Sequence, residues 1–196
     1  MGFLDILPAR SILGGGLMVQ HGALTAAQTF VQGEPVVTVA AGTISGVHAN
    51  GAQFVLADIG STGNQCGIAC WGPGQAATAE LTRTRVMINP ITGLAFATGD
   101  LIGYWPADVP GMLFKGQVLA AGGAAGAGIG LTTHKGELFQ ITYDASTTPD
   151  LGWGVELTAG VVGTDVLAKV VEVLAADGRP SATAGTHFIF ELRTAL

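Results

Sequence analysis

Six side chains of this sequence are the cysteine and histidine residues on which a zinc site would draw. They are two cysteines and four histidines: Cys66, Cys70, His21, His48, His134 and His187. A zinc site needs such ligands in closely spaced sets, and none of these residues has zinc-finger or H-E-x-x-H spacing. The acidic residues are also spread singly, so no two carboxylates are paired for acid–base chemistry. We therefore expect neither a metal nor a cofactor.

The two cysteines also raise the possibility of a nucleophile. The run Gln65–Trp71 is similar to the sequence around the papain nucleophile, with one residue too many between the cysteines. A catalytic thiolate needs a histidine and a group that orients it, and the sequence has no asparagine downstream to orient His134 or His187. In a strand, Cys66 and Cys70 would lie about 13 Å apart, too far for a disulfide. We interpret them as reduced, buried structural residues.

A third candidate site is the glycine-rich segment Gly122–Gly130, which could form a loop around phosphate. It contains no G-K-[ST] sequence and no G-x-G-x-x-G after a clear strand, and no amphipathic helix follows it. The sequence also has no G-x-S-x-G motif. Because no constellation supports a reaction, we predict that the protein is not an enzyme and has no catalytic residues.

The composition narrows the function classes further. The chain has 196 residues, 31 of them glycine, with 48% apolar residues, 11% charged residues and a net charge of −6. Disorder needs low hydrophobicity and high charge, and nucleic-acid binding needs basic clusters. The uncharged stretch 11–33 contains too many polar residues for a membrane helix, and no basic secretory start is present. So few charges predict surfaces that other protein chains cover, with no nucleic acid, no membrane and synthesis in the cytoplasm.

The elements that position these residues are β-strands. Short apolar runs separated by glycine predict an all-β fold, a small glycine-rich β-barrel or sandwich with an apolar N-terminal arm. Strand patterns occupy segments 36–40, 43–47, 53–58, 78–88, 112–120, 137–143 and 187–193. Segment 166–174 fits a helix or a strand, and 24–30 has room for two helical turns. The segments Phe30–Val36 and Phe96–Ile102 share the pattern F-x-x-G-[acid]-x-[apolar], which we attribute to equivalent corners of one barrel.

The first twenty residues differ from the rest, and we predict an arm at 1–20 and one β-rich domain at 21–196. Pro8 and the glycines at 14–16 prevent a single helix. The arm either packs on its own domain or docks on a neighbouring subunit. Its candidate contact residues are the large apolar ones: Phe3, Leu4, Ile6, Leu7, Ile12, Leu13, Leu17 and Met18.

Two segments resemble a known class of protein. F-V-Q-G-E-P-V-V lies within residues 30–47, and V-L-A-K-V-V-E-V-L-A-A-D-G-R-P-S lies within residues 166–193, ahead of a last strand. Together they resemble the capsid decoration, or cement, proteins of tailed bacteriophages. The resemblance implies a β-rich homo-oligomer, most often a homotrimer, that binds the major capsid protein. It would coat the outside of an icosahedral head in many copies and stabilise it.

Two alternatives remain open at this point. The chain could be another virion component, such as a tail-tube, head-fibre or minor coat protein. It could also be a non-catalytic ligand- or glycan-binding β-module, with Trp71, Trp105 and Trp153 as stacking platforms.

Overall fold

A computed structural model describes most of the second half of the chain and shorter stretches of the first. The described residues are 6–11, 19–24, 30–31, 35–39, 43–46, 66–70, 86–87, 89, 92, 94, 97–106, 111–121, 127–144, 152–159 and 166–194. Within them we number fifteen β-strands, β1 to β15, and one short 3-10 helix, Thr132–His134. These stretches contain no α-helix, and the predicted all-β fold is confirmed.

The chain divides into two compact units. One unit is formed by Gly16–Val47 and Asp58–Val109, and the other by Met1–Gly15, His48–Ala57 and Pro110–Leu196. The predicted boundary after residue 20 stays a prediction, because residues 12–18 lie outside the described part of the chain.

The unit that contains residues 16–47 holds a closed five-stranded barrel, which we call the first barrel. Its strands, in chain order, are β2 (Gln20–Leu24), β4 (Pro35–Val39), β5 (Thr43–Gly46), β6 (Cys66–Cys70) and β8 (Leu101–Pro106). Around the ring they follow the order β2-β5-β4-β6-β8. Only the β2–β5 pair is parallel, and the other four pairs are antiparallel.

Close approach of strands β6 and β8 shapes this barrel. Val36, Ile68 and Tyr104 are buried, and the Tyr104 hydroxyl donates a hydrogen bond of 2.9 Å to Gln20 Oε1. A Cβ on Gly67 would lie 2.6 Å from the carbonyl oxygen of the facing strand and 2.6 Å from the Tyr104 ring. Glycine is therefore required there by the packing of the ring against β6.

The second unit contains another ring of five strands, the second barrel. Its strands are β9 (Met112–Leu119), β11 (Leu138–Asp144), β12 (Gly152–Ala159), β13 (Val166–Leu174) and β15 (His187–Thr194). They follow the order β9-β12-β11-β13-β15, and pairing of β15 with β9 closes the ring. In both barrels the first and third strands in chain order form the one parallel pair. In the second barrel these strands are β9 and β12.

Alternate residues of these strands form the core of the second barrel, as the period of two in strands requires. Its members are buried and apolar: Phe114, Val118, Phe139, Ile141, Trp153, Val155, Ala168, Val170, Val173, Phe188, Phe190 and Leu192. The rings of Phe114 and Phe190 lie 6.2 Å apart, and those of Phe139 and Phe188 stack at 6.0 Å. Aromatic packing therefore fills much of the interior.

The N-terminal segment contributes to this second unit. Strand β1 (Leu7–Ser11) pairs antiparallel with β9, and Ile6 is fully buried. A Cβ on Gly116 would lie 3.1 Å from Phe190 Cε1 and 3.4 Å from Ile6 Cγ1, so both side chains use the space that Gly116 leaves. A proline, Pro8, and a register shift after it lie in this edge strand, and both features discourage pairing with further strands.

The two units have the same order of elements. In each, a short strand between the first and second barrel strands pairs antiparallel with a short strand between the fourth and fifth. These ribbons are β3 (Phe30–Val31) with β7 (Val86–Met87), and β10 (Gly130–Leu131) with β14 (Ala184–Gly185). Strands β2 to β8 thus correspond one to one with β9 to β15, in position, neighbours and direction.

Most strand predictions match the described elements. Patterns at 36–40, 43–47, 112–120, 137–143 and 187–193 coincide with β4, β5, β9, β11 and β15, and the ambiguous segment 166–174 is a strand. Segment 53–58 lies outside the described residues, as do most of 78–88 and all of 25–29. Strands β4 and β8, which follow the two repeated F-x-x-G patterns, belong to one barrel as expected. The strand patterns did not predict β1, β2, β6, β8 or β12, nor the two-residue strands β3, β10 and β14.

Candidate functional site

Exposed apolar side chains are concentrated at one end of each barrel. The described residues include six large apolar side chains that are well exposed: Val19, Leu94, Leu101, Ile129, Leu131 and Leu138. In each barrel, the second and fifth strands in chain order begin at the same end of the barrel. We call this end the apolar end. Leu94 and Leu101 lie at the apolar end of the first barrel, and Ile129, Leu131 and Leu138 at that of the second. Val19 precedes β2, at the opposite end of the first barrel.

In the first barrel, Leu94 and Leu101 lie at a turn that hydrogen bonds hold in place. Asp100 Oδ2 accepts hydrogen bonds of 2.8 Å from the Ala97 amide and from Asn89 Nδ2, and the Asn89 amide donates to the Leu94 carbonyl at 2.9 Å. The bonds from Ala97 and then Asn89 lower the pKa of Asp100, so the carboxylate stays ionised in mild acid. Leu94 is 69% and Leu101 63% exposed although the backbone beside them is fixed.

At the second barrel, the 3-10 helix covers the core and leaves leucines outside. The His134 ring packs edge-on against Phe139 at 5.1 Å and Phe188 at 6.1 Å. Its Nδ1 accepts a hydrogen bond of 3.1 Å from the Leu131 amide, which assigns the proton of a neutral ring to Nε2. Leu131 and Leu138 flank this helix and are exposed, so His134 is a structural residue of the barrel end.

Charged side chains lie near both apolar ends. Asp100 directly precedes Leu101 in the first barrel. In the second barrel, Lys169 of β13 is the cross-strand partner of Leu138 of β11. The exposed Lys135 lies three residues before Leu138 in the sequence. Glu137 is the acidic neighbour on this side. Glu191 in β15 is the cross-strand partner of Lys169, so the second end carries both basic and acidic groups, whereas the nearest described charge of the first end is that of Asp100.

Buried polar residues line the outer face of the second barrel. Gln117, Gln140, Thr142 and Glu156 are all nearly inaccessible to solvent, and Thr158 Oγ1 donates a hydrogen bond of 2.7 Å to Glu156 Oε1. Gln117 Oε1 is buried without a hydrogen-bond partner. An unsatisfied buried acceptor costs roughly 1–3 kcal/mol, so Gln117 is a point of local instability in an otherwise well-packed strand.

His187 lies opposite Gln117 in the adjoining strand. The two residues are cross-strand partners of β15 and β9, and His187 Nδ1 lies 3.0 Å from Thr186 Oγ1. Burial, and to a smaller extent the charge of Lys115, lowers the pKa of His187. The neutral ring is therefore the form that the folded barrel favours.

The remaining chemical candidates do not come together in the described residues. Cys66 and Cys70 stand at the two ends of β6, the strand geometry that places them too far apart for a disulfide. His21 is exposed on β2, and His48 lies outside the described residues. No group of three His, Cys, Asp or Glu residues that could hold a metal ion occurs in the part searched.

The candidate arm residues fall partly within the described chain. Ile6 is buried and Leu7 begins β1, whereas Phe3, Leu4, Ile12, Leu13, Leu17 and Met18 lie outside the described residues. Docking of the arm on another chain stays a prediction for them. Of the glycine-rich segment, residues 127–130 are described, and Gly128 donates its amide to the Val118 carbonyl at 2.8 Å.

Sequence reasoning missed the five leucine and isoleucine residues of the apolar ends. A signal exists in the sequence, because the order glycine, acidic residue, leucine occurs where two of the strands begin. Gly99-Asp100-Leu101 leads into β8, and Gly136-Glu137-Leu138 leads into β11. Gly99 and Gly136 both have φ near +86°, a conformation that glycine adopts without strain. The motif therefore marks a turn that feeds a barrel strand at the apolar end.

Comparisons with known proteins add no relative. No family model, no curated protein and no solved structure matches this chain. In the described stretches, no helix has the length and apolar character needed to cross a membrane.

Proposed function

We propose that this protein is a virion structural protein that binds the outer surface of an icosahedral phage head in many copies and stabilises it. The observation that carries the proposal is the gathering of five exposed apolar side chains at the equivalent ends of two barrels. Contiguous exposed apolar surface on a soluble protein is typical of protein–protein contacts. The resemblance of residues 30–47 and 166–193 to phage decoration proteins supports the identity of the partner.

The proposed mechanism is mechanical. A decoration protein that bridges several coat subunits adds contact area across the seams of the shell, and each contact can be weak. If the protein is a homotrimer, its second and third contacts with the lattice are intramolecular, which raises the avidity by 10²–10⁴-fold or so. A net charge of −6 suits an outer position, away from the packaged genome.

The experiment is a binding assay with emptied heads of a tailed phage that encodes this chain. We expect the purified protein to co-sediment with the heads at saturable stoichiometry, and to raise the temperature at which the heads disrupt. The double variant Leu94→Ser, Leu101→Ser should bind more weakly, and Val19→Ser, at the opposite end of the barrel, should bind as the unaltered protein does. Absence of saturable binding by the unaltered protein would refute the proposal.

The alternative of a glycan-binding module has less support. Trp153 is 1% exposed and lies in the core of the second barrel. Trp105 is half-buried on β8, and Trp71 lies outside the described residues. Stacking on a sugar needs an open aromatic face, which Trp153 does not offer. Flat heats in titration calorimetry against glycans would dispose of this alternative.

A further inference from the structure

The two barrels match residue by residue around their rings. Cross-strand partners run through matching positions: Val36, Gly67 and Pro106 in the first barrel, and Phe139, Ala168 and Leu192 in the second. Followed through all five strand pairs, the matching returns to the residues from which it started. It places Gln20 of β2 at the position of Phe114 of β9, and Tyr104 of β8 at the position of Phe190 of β15. One barrel unit therefore occurs twice in this chain.

This matching allows the surroundings of β2 and β9, the first strand of each barrel, to be compared. In the second barrel, β1 pairs with residues 112–115 of β9 on the side away from β15. In the first barrel, β5 pairs with β2 only from Ala23 onward. Among the described strands, none lies beside residues 19–22 on the side away from β8. We call residues 19–22, on that side, the open edge of β2.

Side-chain exposure differs between the matching positions. Leu113 of β9 is 0% exposed, whereas the matching Val19 is 40% exposed. Lys115 is half-buried, whereas the matching His21 is exposed. The same site is thus covered in the second barrel and accessible in the first.

The occupied edge of β9 shows which chemistry the open edge accepts. Ile6 precedes β1, and its side chain shares the space above Gly116 with Phe190. In the first barrel, Gly22 and Tyr104 stand at the positions that match this glycine and this phenylalanine. An extended segment with a large apolar side chain therefore fits there, and backbone hydrogen bonds to β2 supply affinity. The side chains of the open edge carry no permanent charge, so the segment needs none.

We propose that the open edge of β2 binds an extended apolar strand of the coat protein, as β9 binds β1. The inference rests on the proposed function, in which one chain bridges several coat subunits. The open edge lies away from the apolar end of the first barrel, so the two contacts can engage different coat subunits. Strand β1, which fits such an edge, already pairs with β9 of its own chain, and this disfavours a second copy as the occupant.

Hydrogen exchange measured by mass spectrometry tests the contact, with emptied heads as the probe. In dilute free protein, we expect rapid exchange of the amides of residues 19–22 that do not bond to β8. On heads these amides should exchange at least roughly 10-fold more slowly, because pairing in a sheet protects backbone amides. Residues 112–115 of β9 are the internal control and should exchange slowly in both conditions.

Two substitutions at Val19 separate strand binding from the contact of the apolar ends. Val19→Lys puts a charge on the open edge, a device by which natural edge strands avoid pairing, and Val19→Ser is the matched uncharged control. The side chain is exposed, so both variants should keep their fold, which circular dichroism checks. Both should still co-sediment with heads through the apolar ends, but only Val19→Lys should lose the added protection of residues 19–22.

Several outcomes would overturn the inference. Binding to heads without slower exchange at residues 19–22 would do so and would leave the proposed function intact, as would full protection in Val19→Lys. Slow exchange in dilute free protein would show that this chain covers the edge itself, and protection that grows with protein concentration without heads would show that a second copy does. Failure of the unaltered protein to co-sediment with heads would refute the proposed function, and this inference with it.

Discussion

Replacement of Ile6 by alanine tests whether the N-terminal segment is part of the second unit. Ile6 is 0% exposed and fills space above Gly116 together with Phe190. Removal of a fully buried isoleucine side chain to alanine costs about 2–5 kcal/mol. For a chain of this size, 1 kcal/mol shifts Tm by about 2–4 °C, so a loss of about 3 kcal/mol lowers Tm by about 6–12 °C.

The assay is thermal unfolding followed by circular dichroism at several protein concentrations. Ala9→Ser, an exposed position in the same strand β1, is the control and should leave Tm within about 1 °C. The decrease for Ile6→Ala should be the same at every concentration, because the contact lies within one chain. A decrease under 2 °C, or one that disappears on dilution, would refute the placement of Ile6 and favour an arm that docks on another chain.

Three further changes have defined outcomes. Gln117→Met should raise the free energy of unfolding by about 1 kcal/mol, because it removes an unpaired buried oxygen. Gln140→Met removes a side chain that has an interaction partner and should lower the free energy of unfolding. Urea titration measures both values, and the opposite order would contradict this reasoning. Gly130→Ala should lower Tm, since the added Cβ overlaps the Phe188 ring. Stability should fall as pH drops below about 6.5, where the unfolded chain protonates His187 more readily than the folded one; His187→Gln should flatten this decline.

Local patterns predicted the strands well where one face is buried and the other is not. In β15, Phe188, Phe190 and Leu192 alternate with His187, Ile189, Glu191 and Arg193, of which only Ile189 is apolar and buried, and the period of two was visible in the sequence. Segment 166–174 stayed ambiguous because its β-branched residues also fit a helical spacing. Pairing with β11 on one side and β15 on the other makes it a strand, and that pairing is not a local property.

The sequence did not show that five strands close into a ring or that the same ring occurs twice, and the reason is related. A barrel core requires apolar residues at alternate positions but no particular ones, so two barrels of equal topology can differ in almost every residue. The first has Val36 and Tyr104 in buried positions, and the second has a cluster of phenylalanines. At equivalent positions, Gly33-Glu34 precedes β4 and Gly136-Glu137 precedes β11, whereas Gly99-Asp100 precedes the fifth strand, β8.

The composition predicts that other chains cover part of this protein, but it does not say which part of the surface they cover. In the sequence, a leucine at the first or last position of a strand looks the same whether it faces the core or solvent. Leu101 and Leu119 differ only in the fold, where the first is 63% and the second 2% exposed. The apolar ends therefore became visible only once strand order and direction were known.

The most direct measurement of the central claim is cryo-electron microscopy of heads from a tailed phage that encodes this protein. We predict repeated density on the outer surface of the shell into which both five-stranded barrels fit, in contact with the coat protein. Density for the two barrels in the tail, or a mature head whose outer surface carries none of this protein, would contradict the account.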